Sequence, residues 1–574
     1  MASHLVLTDQ TNLLPAKKVI VVFLALSISL GVVVLEQTIT ATALPVLSSY
    51  FNSGRESIWV ATAYLLTSTA FQPSFGRLSD IFGRKILLLA QQSNAAFLSK
   101  VEFMLASLAC AVAQTMTQLI IFRALQGMHL STSRQSILIL SQLGIGGGAI
   151  LTTGMIIISD IVDLKNRGKY QGLMECVFAI CNGVGPLLGG VFSESVSWRW
   201  CFWINIPICA VSLVLIFFCL PLKKVEGMFI LKLKTIDYVG TALTLIGSVL
   251  MLVTFHHSAG GVEYEWASAP VLVLIFVALA AFAVFCLWEW RFAKLPIVPM
   301  YIFAFRTVIG VSVVTTFLGL VWYDVVYFVP QLLQIAKGYS DRAGVLMIPL
   351  LACVTCVVFI TGQVTARTGI FRAFIIAGFA IWSVATGVLS TIDENSSDSK
   401  IMGFLFLCAV GPGLIFQTSL VGLQASVDRK DMAVVTSVRS FLRFLGGTLG
   451  LAVSSALINN SIKQEARSIN LRDDYLKQVL DDPTAIRHRL ADILSPEDQS
   501  ALIRAYASGF RTVYLVCAGC CAVSFIISAA LIQHHDLERG DEKELREETK
   551  KWLKDQGAST ASKEEKDHDH AAKV

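Results

Sequence analysis

The sequence predicts an all-α polytopic membrane protein, and three observations carry that reading. Of the 574 residues 55% are hydrophobic and only 15% charged, and the mean hydropathy is +0.66. Apolar runs recur from Val19 to Gln533, each close to the roughly 20 residues a helix needs to cross a bilayer. The runs are long and continuous, whereas the strands of a barrel would be shorter and alternating, and in lipid a helix satisfies its own amides and carbonyls. The net charge of +5 is dispersed among loops, which argues against a nucleic-acid partner. Most of the 13 cysteines fall in apolar runs such as FAICNG and CAGCCAV and read as small hydrophobes. No disulfide framework, metal site or cofactor is expected from them.

The chain opens on a polar segment, and the run that follows lacks a small-residue cleavage site, so it reads as an uncleaved first span. Spans are expected near 19–44, 57–75, 86–116, 118–162, 170–192, 201–220, 237–256, 268–289, 306–333, 343–365, 371–391, 401–425, 432–458 and 511–533, fourteen in all. Their direction follows from Lys and Arg in the short loops. One alternate set carries Arg77, Arg84 and Lys85; Lys165, Arg167 and Lys169; Lys223, Lys224, Lys232 and Lys234; Arg291 and Lys294; Arg367 and Arg372; Arg429 and Lys430. The opposite set is poor in them, so both termini are expected in the cytoplasm. Asn395 and Asn459 open Asn-X-Ser triplets on the opposite side and are candidate glycosylation acceptors.

The chain then divides into a cytoplasmic N-terminus (1–18), a first six-helix half (19–220), a linker with two extra spans (221–304), a second six-helix half (305–533) with an outer loop at 459–508, and a charged cytoplasmic tail (534–574). The tail is expected to be a solvated helix fading into disorder. Two places disturb the pattern. QQSN and SKVE interrupt the third span and put Lys100 and Glu102 inside it; 128–144 separates RALQG from IGGGAI in the fourth. An extra crossing there would place the Lys/Arg-rich loops outside, so the insert reads as a bulge, an extra loop or translated intron sequence.

The polar knot at 76–85, GRLSDIFGRK, has a partner later in the chain. GQVTARTG at 362–369 repeats its Gly-to-Gly spacing, with Ala366 and Ile370 in place of Asp80 and Arg84. Parallel repeats in matching places are a mark of alternating-access transporters. GRLSDIFGRK is also similar to the cytoplasmic signature of the major facilitator superfamily, and RALQG followed by GGG resembles its fourth-span signature. NGVGPLLGG at 182–190, continued by WRWCFWINIP at 198–207, resembles the fifth-span antiporter signature. LEQTITATALP resembles the first-span signature of the fourteen-span drug:proton antiporters, with Glu36 where Asp is usual.

This resemblance, over about 17–533, implies a major facilitator fold: two six-helix halves plus two linker helices. It implies proton-coupled export of small amphipathic compounds, with cargo, protons and the bilayer as partners and a monomer as the unit. A plasma membrane is the first expectation and a vacuolar membrane the second. Vacuolar transport of basic amino acids, siderophore transport, and a non-transporting nutrient sensor are the rival readings. A Walker motif is missing, as is a nucleophile or metal constellation, so neither ATP drive nor an enzyme is expected.

The motif residues have physical roles to fill. Gly76 and Gly83 permit close backbone approach, while Asp80, Arg84 and Lys85 can make charge-assisted contacts that latch a cytoplasmic gate. Gly183, Gly185, Gly189 and Gly190 around Pro186 are small-residue chemistry for helix contact and a bend, and the resemblance implies a hinge that restricts leak. Ionisable groups in hydrocarbon are costly and usually face a cavity; the candidates are Glu36, with Thr40 one turn on, Arg123 and Asp324. Asp324, Tyr327 and Gln331 make a polar stripe on one span, and Gln417, Val421 and Gln424 on another. By the family's architecture these spans line a central cavity, where two carboxylates near an Arg would exchange protons. Arg439 and Arg443 in RSFLRFLGG resemble a further signature, with snorkelling as the alternative.

Sequencing the mature transcript separates the origins of 128–144. Absence of the insert marks translated intron sequence; its presence marks a real bulge, with impaired transport expected because Arg123 is then parted from the following glycines.

Overall fold

The computed structural model of the protein describes residues 11–51, 58–82, 98–127, 147–219, 235–259, 268–339, 342–393, 396–481, 486–487, 490 and 493–552. Among these every regular element is helical. The helices are α1 (Ala16–Tyr50), α2 (Ile58–Ala70), α3 (Gln72–Phe82), α4 (Leu98–Ala111), α5 (Met116–Gly127), α6 (Gly147–Ile161), α7 (Leu164–Val191), α8 (Trp200–Trp203), α9 (Asn205–Cys219), α10 (Tyr238–Ala259), α11 (Ala269–Arg291), α12 (Arg306–Lys337), α13 (Arg342–Thr368), α14 (Arg372–Leu389), α15 (Asp398–Ala425), α16 (Met432–Ser468), α17 (Asp473–Asp481) and α18 (Pro496–Leu531). Each apolar run contains helix among the described residues. Among the described residues nine are long and apolar enough to cross a membrane, and three shorter apolar helices accompany them.

The hydrophobic cores sort these helices. Two clusters, around Leu26, Leu30 and Ile157 and around Ile39, Leu47 and Phe202, hold α1, α2 and α4–α9 together. A larger one, with Val314, Val325, Trp382, Ile415 and Phe510, holds α12–α18. The helix α10 pairs with α11 and touches both α2 of the first bundle and α16 of the second. The bundles meet where α3 and α6 pack on α16, and where α7 packs on α13 and α15. That face also carries 163–169, 427–431 and the chain after Leu531, and is termed the basic face.

Several expectations change. The knot at 76–82 is helical rather than a loop. The expected outer loop is largely taken up by helix: α16 runs on to Ser468 and α18 begins at Pro496. Asn459 therefore lies inside α16 with 6% of its surface exposed, where an acceptor would have to be reached before folding. The tail is docked on the basic face as far as Arg546 rather than solvated throughout. Gly83, Arg84, Lys85, Asn395 and the insert 128–144 lie outside the described residues.

Lipid-soaked helices gain little hydrophobic drive from meeting each other, so close approach comes from small residues. The α12–α16 crossing shows this. A Cβ on Gly319 would stand 1.9 Å from the Arg443 carbonyl oxygen, and one on Gly446 2.0 Å from that of Thr316. Gly446→Val is expected to force these backbones apart at a cost of about 1–3 kcal/mol, seen as a lower melting temperature of the detergent-purified protein. Gly183→Ala, with nothing within 4 Å of the new Cβ, is expected to melt as the parent does.

Candidate functional site

Glu36 and Arg123 meet inside the first bundle. Their side chains are 0% and 1% exposed and form an ion pair between Oε1 and Nη1. Arg123 also donates from Nη1 to Gln126 Oε1 at 2.8 Å and from Nε to the Val60 carbonyl at 2.9 Å. Its guanidinium lies 4.5 Å from the Tyr64 ring centroid. Gln126 in turn donates to Ser107 Oγ, which Asn205 also reaches. The charge is thus paired and hydrogen-bonded, as a buried guanidinium requires. Among the described residues the second oxygen of Glu36, Oε2, accepts no hydrogen bond, leaving this carboxylate a free lone-pair site.

Asp324 has different company. Its Oδ2 accepts from Ser454 Oγ at 2.8 Å and from Cys517 Sγ at 3.5 Å, while Tyr514 donates to its carbonyl. Gln331 accepts from Tyr506 of the same helix α18. The stripe on α12 therefore splits. Asp324 and Gln331 face α16 and α18, whereas Tyr327 is 45% exposed and lies beside Tyr323, ring centroids 6.4 Å apart. The grouping of both carboxylates around Arg123 is not what the chain adopts: among the described residues Glu36 alone pairs with it.

The stripe on α15 is also redirected. Gln417 Nε2 donates to the Gln171 carbonyl on α7, and Gln424 Nε2 donates to Ser159 Oγ on α6 and Thr436 Oγ1 on α16. Arg167, which the sequence marks only as a topology signal, is fully buried here; it donates to the Val162 carbonyl, Gln424 Oε1 and Met432 Sδ. The bonds of Gln417 to Gln171, Gln424 to Ser159, and Arg167 to Gln424 and Met432 cross between the bundles and close the basic face. Glycines tighten the same closure: a Cβ on Gly76 would stand 2.2 Å from Ser437 Oγ and 2.8 Å from the Ala433 carbonyl, and one on Gly362 2.4 Å from that of Gly168. Asp80 lies 3.7 Å from Arg77, whose Nε donates to the Pro296 carbonyl in the linker.

The glycines of α7 divide by partner. Gly185 and Gly189, one turn apart, press on Thr38 and Thr42 of α1, with hypothetical Cβ distances of 1.9 and 2.0 Å; Gly183 and Gly190 face open space. The helix that carries Glu36 is thereby held against α7. Pro186 shares that turn of α7.

Two members of a further cluster, Glu175 and Tyr323, were missed. Glu175 of α7 stands in the field of Arg443 and Arg439 of α16, and Tyr323 in that of Arg443, Tyr327 and Glu175. Arg439 donates to the Phe416 carbonyl at 2.6 Å and Ser419 Oγ at 2.9 Å. The guanidinium of Arg443 lies 5.8 Å from the Phe416 centroid and 5.3 Å from that of Phe444, and among the described residues it has no ion pair. The signal was present: Glu175 interrupts the apolar run GLMECVFAI, and the rule that singles out Glu36 applies to it equally.

With the fold and its polar interior in place, comparison with known proteins adds relatives. The family model described as Major Facilitator Superfamily matches residues 26–451. The chain is similar to "Citrate exporter 1" of Yarrowia lipolytica, 33% identical over 548 residues that cover 94% of this chain and 77% of that protein. It is similar to "Efflux pump FUS6" of Gibberella fujikuroi, 31% identical over 514 residues, 88% of this chain and 87% of that protein. Among solved structures, the proton:xylose symporter XylE superposes with a TM-score of 0.56 at 10% identity, covering 92% of this chain and 99% of that one. That last likeness concerns the fold alone.

Removing one member of the Glu36–Arg123 pair strands the other in a buried site. Arg123→Met alone is expected to cost about 3–5 kcal/mol, whereas Arg123→Met with Glu36→Leu is expected to recover most of that loss. Thermal melts of the single and double variants decide; equal melting of both with the parent would show that the pair is not desolvated.

Proposed function

The chain belongs to the Major Facilitator Superfamily, and on that premise we propose that it is a proton-coupled exporter of small amphipathic compounds that works by alternating access. The observation that carries this reading is the buried Glu36–Arg123 pair on α1, pressed against α7 at Gly185 and Gly189. A carboxylate so placed can take a proton when Arg123 turns to cargo, and release it when the pair re-forms. Exchange then follows from competition for one site. Asp324 is a second proton site in the other bundle, beside Ser454 and Cys517. Relatives named as an efflux pump and a citrate exporter support outward transport.

The closed basic face represents one end of the cycle. In this reading it is the cytoplasmic face, both termini lie there, and the protein is a monomer of the plasma membrane. Gly76, Asp80 and the cross-bundle bonds of Gln417, Gln424 and Arg167 stabilise that closed end. Tyr323, Tyr327, Glu175 and Arg443 then belong to the cargo pathway.

A second reading concerns the cargo. Arg443, free of an ion pair among the described residues and flanked by Phe416 and Phe444, suits a carboxylated compound with an apolar body. The relative named as a citrate exporter is in keeping with it.

Purified protein in liposomes tests both. With an imposed pH gradient, uphill accumulation is measured for a panel of amphipathic toxins and for citrate. Glu36→Gln is expected to lower uphill accumulation at least about tenfold, equivalent to about 1.4 kcal/mol of lost coupling, while exchange down the cargo gradient survives; Asp324→Asn is expected to do the same. Full proton-driven accumulation by both variants would overturn the proton-site assignment. Arg443→Ala is expected to abolish uptake of carboxylated cargo first.

A further inference from the structure

The chain beyond α18 does more than leave the membrane. Ile532 and Leu537 are buried in the core of the second bundle. Gln533 N and His535 Nε2 meet Thr307 Oγ1, and His534 stacks on Phe371 with centroids 5.4 Å apart. Arg539 Nη2 donates to the carbonyls of Gln424 at 3.0 Å and Val427 at 2.7 Å. These carbonyls lie at the C-terminal end of α15, where main-chain acceptors lack helical partners and a cation is favoured. Arg429 grips both oxygens of Asp541, at 3.2 and 2.7 Å. The segment is thus anchored to the second bundle.

The same segment also reaches the first bundle. Glu538 Oε1 accepts from Lys165 Nζ at 2.5 Å, Glu542 Oε1 from the Leu164 main-chain N at 3.3 Å, and Arg546 Nη2 lies 3.2 Å from Asp163 Oδ1. Glu538, Glu542 and Arg546 are spaced by four, and 542–552 is helical, so Glu542 and Arg546 share one face of that helix. That face meets the start of α7, whose first amides favour a carboxylate. The lysine holds the Glu538 carboxyl below the usual carboxylate range, and Arg429 does the same for Asp541.

We propose that residues 532–552 form a strap across the basic face: anchored to the second bundle, it holds the first bundle against it and lets go each time the face opens. This rests on the alternating-access reading given above. From Arg539, bound to the end of α15, only three residues lead to Glu542, at most about 11 Å of extended chain. The strap cannot follow both bundles as they part. The ties that yield are those to the first bundle: the Lys165–Glu538 pair is exposed on both sides and Arg546 meets Asp163 through one ion pair, whereas the other end is held by buried Ile532 and Leu537 and by two bonds each from Arg539 and Arg429. Exposed ion pairs contribute little each, which suits a contact made and broken in every cycle.

Hydrogen exchange followed by mass spectrometry on the full-length protein in nanodiscs tests this without any cargo. The readout is deuterium uptake of peptides from α3 and the first turns of α16, which the closed face protects. The double variant Glu538→Gln with Arg546→Gln is expected to speed that uptake about three- to tenfold, the range for two or three exposed ties, with the melting temperature unchanged. Lys550→Gln, on the same helix but outside these contacts, is expected to match the parent. A chain ending at Ile532 should exceed the double variant. Unchanged uptake in the double variant overturns the strap, whatever the truncated chain does; so does uptake by 533–552 in the parent as fast as in a free peptide. Faster uptake in a protein that moves no cargo would uphold the strap and sink the transport reading instead.

Discussion

An ionisable or hydrogen-bonding group placed in hydrocarbon must find its partner inside the protein, and the interior arrangement of this chain follows from that constraint. Arg123 is surrounded by Glu36, Gln126, a main-chain carbonyl and an aromatic face. Arg167 takes two oxygens and a sulfur, and Asp324 a hydroxyl and a thiol. Each set ties together helices distant in sequence, so satisfying a side chain and fixing a helix position are one event. Arg123 organises the first bundle in this way, Asp324 joins α12 to α16 and α18, and Arg167 links the two bundles.

The second constraint is how closely backbones approach. Where hydrophobic drive is weak, a glycine decides whether two helices touch. At Gly319 and Gly446 the contact lies within the second bundle and is permanent architecture. At Gly76, and where Gly168 meets Gly362, the same chemistry lies between bundles, where it closes the basic face. The bonds around that closure are correspondingly modest: amide to carbonyl, amide to hydroxyl, and exposed ion pairs in the C-terminal segment. Among the described residues this seal is built of many small contacts, which can be both specific and reversible.

The linker helices lean on the same closure. Arg77 of α3 donates to Pro296, and Tyr301 donates to Asp431 at the head of α16, while α10 touches α2 and α16. The extra pair thus leans on both sides of the basic face rather than floating beside the bundles. Movement of α3 relative to α16 would be felt by the linker through those bonds.

Membership in a transporter superfamily and the places of its helices were legible in the chain itself, because hydrocarbon allows only one solution for a long apolar run and the motif glycines mark backbone contacts. Glu36 and Arg123 were legible as costly charges, and their meeting could be anticipated. Periodicity, however, reports which residues share a face of one helix and says nothing of what that face meets. Hence Asp324 and Gln331 turn to α18 while Tyr327 does not, Gln417 and Gln424 reach across the closure instead of lining a cavity, and only Gly185 and Gly189 of four motif glycines press on α1. Arg167 looked like a topology signal because a cation near a helix end is equally at home in water; its burial is decided by α15 and α16, more than 250 residues away. The tail shows the same limit. Its composition is that of a solvated segment, and only the acceptors at the end of α15 and the amides at the start of α7, brought together by the fold, provide the partners that dock it.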